Sequence, residues 1–347
     1  TKAFLLLLAS PNVASKRWIY HQYDTTVRTS TAVRPGGDSG VIRIRGTERA
    51  IAATTDCNGR FVYLDPRQGA MIAVAEAARN LVCSGAIPTA ITNNLNFGNP
   101  LKQHIYYQFR EAVLGMADAC KAFETPVTGG NVSFYNETDG LAIYPTPVIG
   151  MVGIIENISH ISPQAFQSEG DDIVLLGENT AEIGGAEYLY VTAGLVAGFP
   201  PRVDLTRERQ LQRAVLTMIQ EKELRSAHDC SDGGLACTLA ECALGDGEAP
   251  FGVNVVLDDA LPPVATLFAE SQGRIVVSCA PNRTENVVRL AMDHGVPARR
   301  IGTVGDRGEP FHVTAVSGQI ETDLTSLHQA YFGALPAIMN TPVSSEE

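Results

Sequence analysis

Gly129 and Gly130 stand side by side in Thr128-Gly129-Gly130-Asn131-Val132-Ser133, and they constrain the fold more than any other feature of the chain. Residues without a Cβ let the backbone turn tightly and come close to a neighbour. Successive N–H groups in such a turn can form a nest for an anion. Asn131 and Ser133 add a carbonyl oxygen and a hydroxyl, groups that suit a magnesium–phosphate complex or a polar substrate. A plain tight turn stays open as the simpler reading. The flanking runs give the segment its weight. Asn93-Asn94-Leu95-Asn96-Phe97-Gly98-Asn99-Pro100 precedes it, and Tyr144-Pro145-Thr146-Pro147-Val148-Ile149-Gly150-Met151-Val152-Gly153 follows.

With 347 residues, 45% hydrophobic and 18% charged, the chain can bury two separate cores. A formal charge of −12 argues against a general nucleic-acid binder, which needs basic patches. It leaves room for a local nucleotide site built from backbone amides and metal ions. Seven cysteines lie at scattered positions with no zinc or redox spacing, which fits packing residues in a reducing, cytoplasmic setting. Asn-x-Ser/Thr matches at Asn131, Asn136, Asn157 and Asn282 are then chance. The apolar run 4–9 is too short to span a bilayer and reads as a short helix ending at Ser10-Pro11. The chain opens on Thr1 rather than Met, as a piece of a longer protein would.

Hydrophobic periodicity predicts a mixed α+β fold in two domains. Residues 1–35 read as an extension or linker, ending in Arg34-Pro35-Gly36-Gly37. In the first domain, 36–158, strands are expected at 41–45, 50–54, 89–92 and 148–155, with helices at 71–83 and 103–123. Ile105, Phe109, Val113, Met116 and Cys120 form one face of the second helix. A boundary falls at 156–172. The second domain, 170–338, should hold strands at 173–176, 253–257, 274–279, 299–304 and 311–315. Its expected helices are 206–225, 235–244 and 282–294. The polar tail 339–347 reads as disordered.

Three further segments could carry chemistry. His228-Asp229-Cys230-Ser231-Asp232-Gly233-Gly234 leads into a helix, where exposed N–H groups attract anions. Ser231 or Asp232 could instead be a simple N-cap. His228 and Asp229 are adjacent on an extended segment, so their side chains point to opposite faces and make no dyad. Glu270-Ser271-Gln272-Gly273-Arg274 joins a helix to a strand, and Asp56 lies in Thr54-Thr55-Asp56-Cys57-Asn58-Gly59-Arg60 after another. Asp56 suits either a metal or an Asx turn. No phosphate-binding P-loop, dinucleotide fingerprint or nucleophile elbow is present.

Taken together and in this order, these motifs resemble the phosphoribosylformylglycinamidine synthase II family. The resemblance also rests on Ser10-Pro11-Asn12-Val13-Ala14-Ser15-Lys16, Leu64-Asp65-Pro66, Ala75-Glu76-Ala77-Ala78-Arg79-Asn80 and Ser84-Gly85-Ala86. It runs over nearly the whole chain and points to the C-terminal half of such proteins. The family fold is two tandem aminoimidazole-ribonucleotide-synthetase-like units, each an N-terminal and a C-terminal α/β domain, of which one is present here.

The resemblance implies an ATP-dependent carbon–nitrogen ligase of purine biosynthesis, with ATP and Mg2+ as cofactors. Its substrate would be formylglycinamide ribonucleotide. Its partners would be the N-terminal half of the same protein, a glutaminase subunit and a small bridging subunit, with no nucleic acid or membrane. Asn93 and Gly130 would contact ATP, Asn131 the metal and Ser133 the substrate. The family has Asp where this chain has Asn93, which removes a carboxylate charge.

The family's first half carries Glu-Ser-His-Asn-His-Pro, with a metal-binding Glu and a general-base His. Asp56 and Asn58 stand in that place here. Asn cannot take up and release a proton near neutral pH. This half therefore has no catalytic base, and the isolated chain is expected to be inactive. Asp56, Asp232, Gly233 and Ser271 are expected to mark an auxiliary nucleotide site. Two alternatives remain: a nucleotide-stabilised structural module, or a sibling enzyme such as aminoimidazole ribonucleotide synthetase, selenophosphate synthetase or thiamine-monophosphate kinase.

Overall fold

The computed structural model describes residues 1–316 and 318–340. The chain begins with α1 (Lys2–Leu8) and the single turn α2 (Arg17–Tyr20). Phe4, Leu7 and Leu8 of α1 are fully buried. Phe4 stacks on Phe311, with ring centroids 5.3 Å apart, so α1 is part of the second domain's core. This corrects the reading of residues 1–35 as an extension or linker. Three apolar side chains on one face of α1 bring it home across the length of the chain, an effect that local spacing does not reveal.

The first sheet has six strands in the order β1-β2-β3-β8-β4-β5. They are β1 (Thr31–Val33), β2 (Gly40–Arg43), β3 (Ala50–Asp56), β4 (Ile87–Asn96), β5 (Val127–Ser133) and β8 (Thr146–Ile155). A small hairpin, β6 (Glu137–Thr138) and β7 (Leu141–Ala142), precedes β8. All neighbours in the six-stranded sheet are antiparallel except β4 and β5. That pair runs parallel because a long helix crosses between them.

Between β3 and β4 come α3 (Gly59–Leu64) and α4 (Pro66–Cys83), and α5 (Gln103–Phe123) joins β4 to β5. Asp65 caps α4 by accepting from the Arg67 and Gln68 amides, and Pro66 starts it. Alanines let α4 lie close to everything around it, and fourteen of its residues are buried. A helix apolar on most sides belongs inside the molecule. α4 packs under the first sheet and against the second domain. On α5, Ile105, Met116 and Cys120 are buried and Phe109 packs against them, whereas Val113 is exposed.

The second sheet has seven strands in the order β10-β12-β9-β13-β11-β14-β15. These are β9 (Asp172–Leu176), β10 (Ser226–Asp229), β11 (Val253–Leu257), β12 (Ile275–Cys279), β13 (Ala298–Val304), β14 (Phe311–Ala315) and β15 (Gly318–Thr322). Its helices are α6 (Glu187–Ala193), α7 (Leu205–Gln220), α8 (Gly234–Leu244), α9 (Pro263–Phe268), α10 (Thr284–Asp293) and α11 (Leu324–Asn340). α7 stops short of the expected residue 225 because the chain turns at Lys222, where φ is 60°. Met339 and Asn340 lie in α11, so the expected disordered tail starts too early; 341–347 lie outside the described residues. Among the described residues no helix is long and apolar enough to cross a membrane.

Candidate functional site

The Gly-Gly pair is not a turn. Gly129 and Gly130 lie within β5, and neither has positive φ. The glycine at 130 is required for closeness instead. A Cβ there would sit 2.1 Å from Asn93 Oδ1 and 2.6 Å from the Asn93 carbonyl oxygen. Pairing with β4 overrides the turn propensity of two adjacent glycines.

The register of these two strands gathers the four sequence-predicted residues. Asn93 is opposite Gly130, Asn94 opposite Asn131, and Asn96 opposite Ser133. Side chains alternate along each strand. Ile91 and Leu95 are buried while Thr92 and Asn94 are exposed. Asn93 and Gly130 therefore share the core-side face, and Asn131 and Ser133 share the open face with Asn94. β5 is also the last strand of its sheet. A ligand reaching all four positions would lie across that edge.

Hydrogen bonds preset the open face. Asn131 Nδ2 donates to Asn94 Oδ1 at 3.2 Å. Asn136 Nδ2 donates to the Phe97 and Ser133 carbonyls, each at 3.0 Å, and to Ser133 Oγ at 3.2 Å. Among the described residues Asn131 Oδ1 has no hydrogen-bond donor, so this neutral oxygen fits a hard cation such as magnesium. One carbonyl oxygen does not complete a metal site, and the remaining ligands would come from phosphates, water or another segment.

The second region is a cleft between the domains. A cavity of about 430 Å³ is lined by Lys16, Asp38, Asp56, Glu76, His228 and Asp232, among others. A neighbouring space of about 430 Å³ reaches Asn58, Arg60, Tyr144 and Tyr190 and shares Asp232. Burial, and then the mutual repulsion of Asp56 with its acidic neighbours, pushes the carboxyls of Asp56 and Glu76 well above the usual carboxylate range. Burial raises Asp232 as well, against the pull of Arg60. Asp56 lies close enough to Glu76 to raise its carboxyl further. A cation bound there would relieve that repulsion. Among the described residues no group of three or more His, Cys, Asp or Glu side chains is arranged to hold a metal.

Asn58 has a structural task. Its Oδ1 caps α3 by accepting from the Arg60 and Phe61 amides, and its Nδ2 donates to Asp232 at 3.1 Å. Gly233 and Ser271 are not brought to the cavity wall. The Gly233 N–H donates to Glu270 Oε1 at 2.8 Å, so Glu270 closes the entrance of α8 in place of the expected Ser231 or Asp232 cap. Burial, with Asp232 nearby, pushes the Glu270 carboxyl up to about 8. Ser271 is fully buried and its Oγ meets Thr180 Oγ1 at 2.7 Å.

Ion pairs across the cleft fix the two domains together. The Arg79 guanidinium, fully buried, donates to Asp229 at 2.5 Å, Glu208 at 2.6 Å and Gln272 at 2.9 Å. His228 lies between Asp38, at 2.7 Å, and Glu241, at 3.0 Å. Burial disfavours its charged form, but Asp38 and Glu241 outweigh that and hold the imidazole well above its ordinary value. His228 and Asp229 do point to opposite faces of β10, and each grips a different part of the first domain.

Sequences described as AIR synthase related protein, N-terminal domain, match residues 36–155, and those described as the C-terminal domain match 168–314. The chain belongs to the AIR-synthase-related family. Within that family it is similar to the phosphoribosylformylglycinamidine synthase subunit PurL of Alkaliphilus metalliredigens, with 48% identity over 96% of this chain and 45% of the relative. The PurL of Moorella thermoacetica is 52% identical over 88% of this chain and 41% of its own length. The chain thus spans less than half the length of these curated relatives. Among solved structures, T. maritima PurL complexed with FGAR aligns with a TM-score of 0.74 at 19% identity, covering 94% of this chain and 53% of that one. T. maritima PurL has also been solved with ATP, at a TM-score of 0.70. These two structural likenesses speak to the fold.

The AIR-synthase-related scaffold explains what the sequence reading missed. Asp38, Glu76 and Glu241 line the cavity and Arg79 bridges the two domains beside it, yet nothing local in the sequence marks them for chemistry. One signal was available: Glu76 and Arg79 are the charged residues in a stretch of α4, 69–79, that is otherwise glycine, alanine and larger apolar residues. Buried charge is costly unless paired, so such residues demand partners. Which partners they find is decided by the other domain.

Proposed function

We propose that this chain is the C-terminal half of a phosphoribosylformylglycinamidine synthase. The full enzyme would convert formylglycinamide ribonucleotide, ATP and glutamine-derived ammonia to formylglycinamidine ribonucleotide, ADP and phosphate. ATP phosphorylates the amide oxygen, and ammonia displaces the resulting phosphate. The observation that carries this reading is the β4–β5 register, which aligns Asn93 with Gly130 and sets Asn131 and Ser133 on the neighbouring open face.

In this reading Gly130 contacts the nucleotide through its backbone, its missing Cβ leaving room for the Asn93 carboxamide, which hydrogen-bonds the nucleotide without a carboxylate charge. Asn131 Oδ1 would hold one position on magnesium, and Ser133 Oγ would hydrogen-bond the ribonucleotide. Bound magnesium would neutralise phosphate charge. The protein's task is alignment. The upstream half supplies the general-base His, and separate glutaminase and bridging subunits deliver ammonia. Seven free cysteines fit a reducing, cytoplasmic setting.

The test is substrate-dependent ADP release with ammonium as nitrogen donor, for this chain alone and mixed with the upstream half. Activity only in the mixture is expected. Turnover by the pure chain would favour a self-contained sibling enzyme, and silence in both would leave no ligase function to explain.

The cleft favours a second role beside the first. Its acids and Lys16 suit a magnesium nucleotide bound for stability rather than chemistry, since Asn58 is a cap and not a base. Calorimetry should find that Mg-ADP binds the isolated chain and that Asp56→Ala weakens it. Equal affinity in the variant would remove Asp56 from that site.

A further inference from the structure

Asn131 can bind a cation through one atom only. A carboxamide carries one oxygen and one NH2, and the terminal torsion of Asn has two broad wells that exchange these atoms. On an exposed strand edge nothing intrinsic selects between them. In this molecule a neighbour does. Asn94, directly opposite Asn131 in the parallel register, accepts the Asn131 Nδ2 proton on its own Oδ1 at 3.2 Å. With the Asn94 oxygen facing it, the Asn131 NH2 group points inward along the sheet and Asn131 Oδ1 is left for a ligand.

Ser133 has a comparable neighbour. A serine hydroxyl rotates freely unless something fixes it. Asn136 binds it from both sides of its carboxamide: Oδ1 accepts from Ser133 Oγ, and Nδ2 reaches the same Oγ, each at 3.2 Å. The same Nδ2 meets the carbonyls of Phe97 and Ser133, so Asn136 is itself anchored to the ends of both strands. Asn94 and Asn136 thus act on different partners through different bonds.

We propose that Asn94 and Asn136 are positioning residues: Asn94 turns the Asn131 oxygen outward for the cation, and Asn136 sets the Ser133 hydroxyl for the ribonucleotide. The proposal rests on the ligase reading for the identity of the two ligands. It separates two effects that a merely structural role would merge.

The experiment has two readouts. In the ADP-release mixture, Asn94→Ala should raise the free Mg2+ needed for half-maximal rate roughly tenfold, as loss of a residue supporting a metal ligand does. The KM for formylglycinamide ribonucleotide should stay unchanged. Asn136→Ala should do the converse, raising that KM severalfold at unchanged Mg2+ requirement. Asn94→Asp keeps the acceptor and should restore the wild-type Mg2+ requirement. The second readout needs no activity: in 15N-edited NMR of this chain, the Asn131 side-chain NH2 pair, assigned with Asn131→Asp, should shift in Asn94→Ala and hold in Asn94→Asp. Equal changes in both kinetic parameters, or an unmoved NH2 pair in Asn94→Ala, would overturn the proposal. A silent wild-type mixture with the expected NMR shift would instead refute the ligase reading and leave the orientation by Asn94 standing.

Discussion

The β4–β5 edge and the interdomain cleft are both polar, and they are built on opposite principles. At the edge, neutral amides lie on an exposed strand, and among the described residues Asn131 Oδ1 has no donor. In the cleft, charged groups are buried and already answer one another. The first arrangement costs little to maintain and leaves bonding capacity for a partner. The second joins two domains through Arg79 and His228 and leaves Asp56, Glu76 and Asp232 facing a cavity. A surface that looks unremarkable by burial can therefore be the better candidate for chemistry, and a crowded acidic pocket can be chiefly a joint.

Stability measurements can break this contrast. The largest effect should come from Arg79→Met, which leaves Asp229 and Glu208 buried without their cation. Removing one partner of such a network costs about 3–5 kcal/mol, read as a lower urea midpoint. A loss comparable to that of an ordinary surface substitution would mean that the cleft does not join the domains.

Next is pH. The imidazole of His228 titrates well above its ordinary value of 6.5 in the folded chain. Its stabilisation is fully present below pH 6.5 and is lost as pH climbs through the raised folded value. Each unit of that upward shift contributes about 1.4 kcal/mol. Thermal unfolding should thus show declining stability on the alkaline side, and His228→Asn should flatten that decline. An equally steep alkaline loss in the variant would assign it to other groups, Glu270 first among them.

The smallest effect belongs to the edge. Asn131→Ala should change the unfolding free energy by less than about 0.5 kcal/mol, as at exposed positions, and Ser133→Ala by about 1 kcal/mol for its bond to Asn136. Both should still abolish most ADP release in the mixture. A large stability loss from either would place these side chains among the supports of the sheet and erase the contrast.

Much of the fold was legible in the sequence. The span 103–123 is α5 from end to end, and 253–257 and 311–315 are β11 and β14. Long amphipathic periods and β-branched runs are local signals, and local signals survive folding. Missed elements have reasons of their own. β10 carries Ser226, His228 and Asp229, a polar run made strand by burial and pairing with β12. α11 contains Pro336, which argues against a helix in any local reading.

By itself the sequence named Asn93, Gly130, Asn131 and Ser133, through the family resemblance of their motifs, but not the strand pairing that brings them together. It also determined that Asn58 cannot serve as a base, since that follows from the side chain alone. Only the tertiary structure decided that Gly129 and Gly130 extend rather than turn. A backbone oxygen and a carboxamide of the neighbouring strand occupy the space a Cβ would need. It alone placed α1 in the second domain's core and gave Arg79 its carboxylates. Those contacts join residues more than a hundred positions apart, and a buried charge or an apolar helix face states that it needs a partner without saying where the partner is.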